Sequence, residues 1–256
     1  MIDEQDEHLV ISNHIYEEVF GRKIINKTIL HARYEGPQIL DLTIEEGHGT
    51  PILSDAIVDV DLDSVRTLLK SGIAFHVVAL LIMSQDDLRG IANNSQVLLD
   101  EGVGLDLVSG WLQNGTDLDS AILIIHREGV DLSRIGTSGK VGDFVGLMWA
   151  SPNEIVSRIP KDAKILPWKP GRITQGMNFA WVDESGRNWE VRMHGPDINV
   201  QAGLNAASGW VLRVRRGREY MDGQGTFYRP ESLFNQRSPY YNSTAANDTH
   251  IPIQQP

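Results

Sequence analysis

The chain has 256 residues, 23 basic against 34 acidic side chains, and a net charge of −11. That length holds one large or two modest domains, and an apolar content of 41% is enough for a packed core. With no cysteine in the sequence, disulfide staples and cysteine-ligated zinc are excluded.

The first residues, MIDEQDEH, are acidic and lack the apolar core of a signal peptide, so none is expected. The longest apolar run, Ile73 to Met83, is too short to cross a bilayer, so no membrane span is expected either. Several segments then end in glycine at helical apolar spacing: QILDLTIEEG at Gly47, DSVRTLLKSG at Gly72, NSQVLLDEG at Gly102 and SAILIIHREG at Gly129. Each glycine supplies the left-handed residue that closes a helix. A last segment, NEIVSRI, runs to Ile159 before Pro160. The glycine intervals of 25, 30 and 27 residues point to stacked helical units. TILHA at Thr28–Ala32 and TPIL at Thr50–Leu53 resemble the turn and first helix of ankyrin repeats, and DSVRTLLKSG and AILIIHREGVDL resemble the second helix and its exit. The expectation is a cap segment over 1–26 and ankyrin-like helical repeats over 27–160. The resemblance departs from the family in period and lacks the full T-P-L-H string. It implies a concave face that binds a protein ligand.

Residues 161–175, within IPKDAKILPWKPGR and just beyond, read as a proline-rich linker. Beyond it the character of the chain changes. From Gly171 onward there are nine arginines, no lysine and eight acids, a net of +1 that leaves −12 for the first 170 residues. Arginine is the fork that matches phosphate, so the two parts call for different partners.

In NFAWVDESGRNWEVRMHG two alternating runs flank ESGR, a hairpin signature. Phe179, Trp181, Trp189, Val191 and Met193 supply its apolar side, while Glu190, Arg192 and His194 share the opposite face of their strand. In GWVLRVRRGREYMDGQGTFY, Trp210, Leu212 and Val214 alternate with Val211, Arg213 and Arg215. MDGQG reads as a turn and TFY as the next strand. Arg213 and Arg215, with Arg216 and Arg218 near the turn, form a patch suited to phosphate. The tail, SPYYNSTAANDTHIPIQQP, has the composition of a loose end, yet Tyr240, Tyr241, Ile251 and Ile253 can anchor it. A closing strand in THIPI would return His250 to the sheet.

WEVRMHGPD, GLNAASGWVLRVRRGREYMDGQGTFY and SPYYNSTAANDTHIPI together resemble the polymorphic toxin type 30 domain, over residues 176–256. The resemblance implies a C-terminal toxin that acts on RNA and is neutralised in the producing cell by a cognate immunity protein. It further implies a protein made in the cytoplasm and delivered into a target cell by a non-classical route. The fold expected for the whole chain is α+β: an all-α ankyrin-like array followed by a small, mainly antiparallel β toxin domain.

The resemblance supplies no residue roles, so those are read from side-chain chemistry. One of His194 and His250 takes the proton of a ribose 2′-hydroxyl and the other protonates the leaving 5′-oxygen, in an order the sequence leaves open. Arg192 or Arg213 stabilises the charge that builds on phosphorus. Thr249 and Tyr241 orient the phosphate, and Glu190 is an alternative base. Arg213, Arg215, Trp210, Tyr240 and Asp248 complete the expected substrate contacts, with bases stacking on aromatic faces. No cofactor and no metal are expected. The nearest metal candidates, His194 with Asp197 and Asp248 with His250, belong to an alternative reading as a metal-dependent nuclease. A second alternative is a non-catalytic adaptor or immunity-type protein. A zinc deaminase is excluded by the missing cysteines.

Overall fold

The computed structural model describes residues 4–13, 26–35, 38–47, 61–84 and 87–256. The chain divides into two compact units, Met1–Asp100 and Glu101–Pro256.

In the first unit, β1 (Glu4–Asn13), β2 (Asn26–Glu35) and β3 (Gln38–Gly47) form an antiparallel sheet in the order β1-β2-β3. Three helices follow: α1 (Leu62–Lys70), α2 (Phe75–Ser84) and α3 (Leu88–Asp100). The expectation of an all-α region from residue 27 is corrected here. TILHA lies inside β2, and QILDLTIEEG, expected as a helix, is β3. The physical reason is in the sequence: Leu40, Leu42 and Ile44 alternate with Asp41, Thr43 and Glu45, a period of two that suits a strand. The TPIL segment at 50–53 lies outside the described residues. Where the apolar spacing is truly helical the helices form. Asp61 caps α1 by accepting from the backbone N–H groups of Asp63 and Ser64, and Val65, Leu68 and Leu69 are buried.

The second unit begins with α4 (Leu105–Asn114) and α5 (Leu118–Glu128). Gly129 ends α5 in the left-handed region, with its N–H returned to Ile125, as the sequence expects. A 3₁₀ turn at Leu132–Arg134 and a long ordered loop lead to α6 (Pro152–Ser157), capped by Ser151 Oγ accepting from the Glu154 N–H. Buried Arg158 follows. Its guanidinium donates to the carbonyls of Asp143 and Val145 and to Glu154, which fixes the loop ahead of α6.

The rest is mostly sheet. β4 (Lys164–Leu166), β5 (Gly176–Val182), β6 (Asn188–His194), β7 (Val211–Arg216), β8 (Glu219–Met221) and β9 (Phe227–Tyr228) are neighbours in that order. β10 (Ile251–Pro252) pairs with β7 and makes the sheet seven-stranded and antiparallel. Short helices α7 (Asn205–Ser208), α8 (Pro230–Leu233) and α9 (Ser243–Asp248) join the strands. The segment expected as a linker supplies β4, which Thr116 and Asp117 tie to the α4–α5 turn: Asp117 donates to the Ile165 carbonyl, and Ile165 donates to Thr116 Oγ1. The whole chain is α+β, a helical region followed by an antiparallel β-sheet domain.

Register sorts the two faces of this sheet. Phe179 pairs with Val191 and Val191 with Val214, while Met177 pairs with Met193 and Met193 with Leu212. These side chains are buried, and Phe144 from the loop before α6 packs against the stacked Trp181 and Trp189 rings. The opposite face carries the polar rows Ala180–Glu190–Arg215–Tyr220 and Asn178–Arg192–Arg213, and the row Gly176–His194–Val211 beside them.

Candidate active site on the polar sheet face

His194 is the last residue of β6 and only 3% exposed. Its Nδ1–H donates to the Gly195 carbonyl at 2.8 Å, which leaves Nε2 with a lone pair. His250 comes from the far end of the chain. The C-terminus of α9 and the pairing of Ile251 with Leu212 set it beside β7. Its Nδ1–H donates to the Ala246 carbonyl at 3.1 Å, so its Nε2 is likewise the open nitrogen. The two rings meet edge to face, with centroids 6.3 Å apart.

Both imidazoles are held in the neutral form. Burial pushes His194 down to about 4, against the pull of the Gly195 carbonyl and with added repulsion from Arg192 and Arg213. Burial also pushes His250 down to about 4, with Arg213 and His194 acting in the same direction and the Ala246 carbonyl and Asp197 opposing.

On the same sheet face lies a cavity of about 230 Å³ lined by Glu190, Arg192, Arg213, Arg215 and Tyr220, and neither histidine is part of that lining. Aromatic rings hold its guanidiniums. Arg192 lies over Trp168 at 4.9 Å, and Arg213 over Tyr220 at 4.6 Å and Phe234 at 5.7 Å. Burial lowers the Arg213 pKa from its ordinary value. Glu190 is the only acid in the cavity lining; it pairs with Arg215 and stands 4.0 Å from Arg192 Nε.

The structure thus brings together His194, His250, Arg192, Arg213, Arg215 and Glu190. It gives other expected residues different surroundings. Trp210 is 6% exposed and cannot offer a face to a base. Thr249 is 1% exposed and caps α9, its Oγ1 donating to the Ala246 carbonyl. Tyr240, Tyr241 and Asp248 do not line the cavity, and Asp248 is exposed beside Asn247. Arg216 lies on the other face, 3.7 Å over the Phe227 ring, and so leaves the expected patch.

Four residues at the site were not singled out from sequence: Asn178, Trp168, Tyr220 and Phe234. Asn178 shows itself only once the β5–β6 register is known, because it faces Arg192. Trp168 sits in the supposed linker, yet its ring stacks on His194 at 6.2 Å and lies over Gly176, where a Cβ would come within 2.6 Å of the indole. Tyr220 belongs to β8, a strand the sequence reading did not expect ahead of the MDGQG turn. Phe234, 54% exposed, meets Tyr220 edge to face at 5.2 Å. Among the described residues no group of three or more His, Cys, Asp or Glu is arranged to hold a metal ion. No helix among them is long and apolar enough to cross a membrane.

Comparison with known proteins gives one family. No curated protein and no solved structure matches the chain. The model of the family described as Bacterial toxin 30 matches residues 154–254. The match starts upstream of the segment in which the sequence resemblance was found, and takes in β4 and Trp168. It spans the whole seven-stranded sheet, so the part of the chain that carries both histidines and the arginine-lined cavity is a bacterial toxin domain of that family.

Proposed function

We propose that this toxin domain cleaves RNA without a metal ion, through attack of a ribose 2′-hydroxyl on the adjacent phosphodiester. The observation that carries the reading is the pair His194 and His250, edge to face at 6.3 Å, with Arg192 and Arg213 close enough to act on them electrostatically. Each ring has its Nδ1 committed to a backbone carbonyl and its Nε2 open. In this reading a phosphate lies between the two nitrogens, with a hydrogen bond of about 2.7–3.2 Å to each. One Nε2 removes the 2′-hydroxyl proton, O2′ bonds to phosphorus, the bond to the 5′-oxygen breaks, and the other ring, protonated, gives its proton to that oxygen. The products are a 2′,3′-cyclic phosphate and a 5′-hydroxyl. Arg192 and Arg213 stabilise the charge on the phosphoryl oxygens. The substrate anion favours protonation of a neighbouring imidazole, which supplies the acid from a ring that is neutral in the free protein.

Delivery into a competing cell and neutralisation by an immunity protein in the producer are part of the same proposal. The test is incubation of the purified chain with total RNA, with and without EDTA, followed by analysis of the cleaved ends. The expected result is cyclic-phosphate ends in EDTA, growth arrest on cytoplasmic expression, and loss of both with His194→Ala or His250→Ala. Cleavage that survives both substitutions, or that stops in EDTA, defeats the mechanism.

A further inference from the structure

Four buried polar side-chain atoms without a hydrogen-bond partner among the described residues belong to a single row of the sheet. They are Asn178 Oδ1, Arg192 Nε, and Arg213 Nε and Nη2. Register makes the row: Asn178 pairs with Arg192 across β5 and β6, and Arg192 with Arg213 across β6 and β7. The remaining two such atoms among the described residues belong to Ser95 in α3 and Trp111 in α4. An unpaired buried polar group costs about 1–3 kcal/mol, so four in one row beside a cavity mark a place built for a ligand.

The chemistry of the row restricts that ligand. The guanidinium nitrogens only donate and suit phosphate oxygens, which only accept. Asn178 Oδ1 is an acceptor and gains nothing from a phosphate. It needs a donor attached close to the phosphate, and in a nucleic acid strand the ribose 2′-hydroxyl is that donor. The residue type fits as well. A carboxylate at 178 would be a second acid on Arg192, whose Nε already stands 4.0 Å from Glu190, whereas a neutral amide adds no further competitor to the substrate.

Resting on the RNA-cleavage reading above, we propose that Asn178 binds the 2′-hydroxyl of the ribose whose phosphate lies on Arg192 and Arg213. This also orders the two histidines. His194 lies two residues beyond Arg192 on β6, opposite Gly176, and so is the diagonal neighbour of Asn178, about 7–8 Å away between Cα atoms. His250 is on the far side, next to β7. A hydroxyl held by Asn178 therefore gives its proton to His194 Nε2. His250, protonated, gives its proton to the 5′-oxygen as the bond from phosphorus breaks. Gly176 leaves the floor beside His194 without a side chain, and the Trp168 indole that now lies there is the group the ribose meets.

The experiment measures binding of one single-stranded oligonucleotide sequence, as RNA and as DNA, to the full chain carrying His250→Ala to stop turnover. The expected preference for RNA is about tenfold, the worth of one hydrogen bond at the upper end of its range. Asn178→Ala brings that preference to within twofold while DNA affinity stays, and with His250 intact it raises KM for RNA about as far as RNA affinity falls and lowers kcat on RNA by about 10–100-fold. Asn178→Asp keeps the oxygen, so it weakens both affinities and retains the preference. Equal binding of RNA and DNA by the parent overturns the assignment. So does a preference that survives in Asn178→Ala, or one lost in a folded Asn178→Asp chain. A parent that prefers RNA but does not cut it defeats the cleavage reading alone, and the binding comparison still decides the role of Asn178.

Discussion

His194 and His250 face each other edge to face at 6.3 Å, and each anchors its Nδ1 on the backbone carbonyl of a nearby residue, Gly195 or Ala246. In the proposed cleavage the two imidazoles act as one device. Replacing either by alanine is expected to lower kcat on RNA by about 10²–10⁴-fold. The double substitution should cost little more than the worse single one, because the proton must be both taken and returned. Steady-state kinetics on the three variants, with circular dichroism to confirm the fold, checks this. Full additivity of the two losses would mean that the rings act independently.

The pH dependence follows from burial. Both imidazoles are pushed down to about 4 in the free protein, while the proposed reaction needs one neutral and one protonated. The fraction in that state falls about tenfold per pH unit above pH 5, so kcat/KM is expected to peak on the acid side and decline toward pH 7. The bound phosphate favours protonated imidazole, so the optimum of kcat should lie above that of kcat/KM. A pH series of both parameters measures the separation, and a kcat/KM optimum at or above pH 7 would contradict the burial argument.

Stability should move the opposite way. An unfolded histidine titrates near 6.5 and these two near 4, so between those values the unfolded chain binds more protons than the folded one. The stabilisation is fully present above pH 6.5 and is lost as pH falls toward 4, by up to ~1.4 kcal/mol per pH unit for each histidine. Thermal unfolding of the parent between pH 7 and 4 should show a steeper fall in Tm than that of a chain carrying His194→Asn and His250→Asn. Parallel curves would show that the imidazoles are not the buried neutral groups responsible.

What could be read in advance follows from how local each signal is. The β5–β6 hairpin was legible because Phe179, Trp181, Trp189, Val191 and Met193 alternate around a compact ESGR turn, and the same alternation put Glu190, Arg192 and His194 on one face. The return of His250 was legible in THIPI, where apolar Ile251 and Ile253 are now buried against β7. Gly129 marked the end of α5 for the same local reason. The first 47 residues misled because a terminal glycine and an ankyrin-like string outweighed the two-residue period of Leu40, Leu42 and Ile44. Trp168, Tyr220 and Phe234 were missed because contact with an arginine across strands or from a loop leaves no mark in spacing. Trp210 was misjudged for a related reason: an aromatic beside an arginine-rich strand reads the same whether it is buried or exposed, and here it is buried.

Glu190 separates two roles that the sequence left open. Its carboxylate is engaged by Arg215 and stands near Arg192, so it competes with substrate for both. Glu190→Gln is expected to lower KM for RNA several-fold with kcat retained, and to steepen the salt dependence by about one unit, since one more arginine is free to meet phosphate. KM, kcat and the salt slope are measured together on a single RNA. A fall in kcat of about 10² or more with KM unchanged would instead make Glu190 the base.

Trp168 and Gly176 tie the burial of His194 to a segment outside the hairpins. The indole stacks on His194 at 6.2 Å and sits under the Arg192 guanidinium at 4.9 Å, in a space that exists because residue 176 has no side chain. Trp168→Ala opens that flank to water, so the His194 pKa should rise from about 4 toward 6.5. His250, which has a ring contact with His194 and none with Trp168 among the described residues, should move less. Gly176→Ala reaches the same end by another route: its Cβ, 2.6 Å from the ring carbons, forces the indole away. Imidazole titrations by NMR on the two variants should therefore agree in direction for His194. The kcat/KM optimum should shift upward with it, because the protonated state becomes accessible nearer neutrality. A His194 titration unchanged in both variants would show that the strands alone bury the ring. The tryptophan would then be only a partner of Arg192, worth about 0.5–1 kcal/mol.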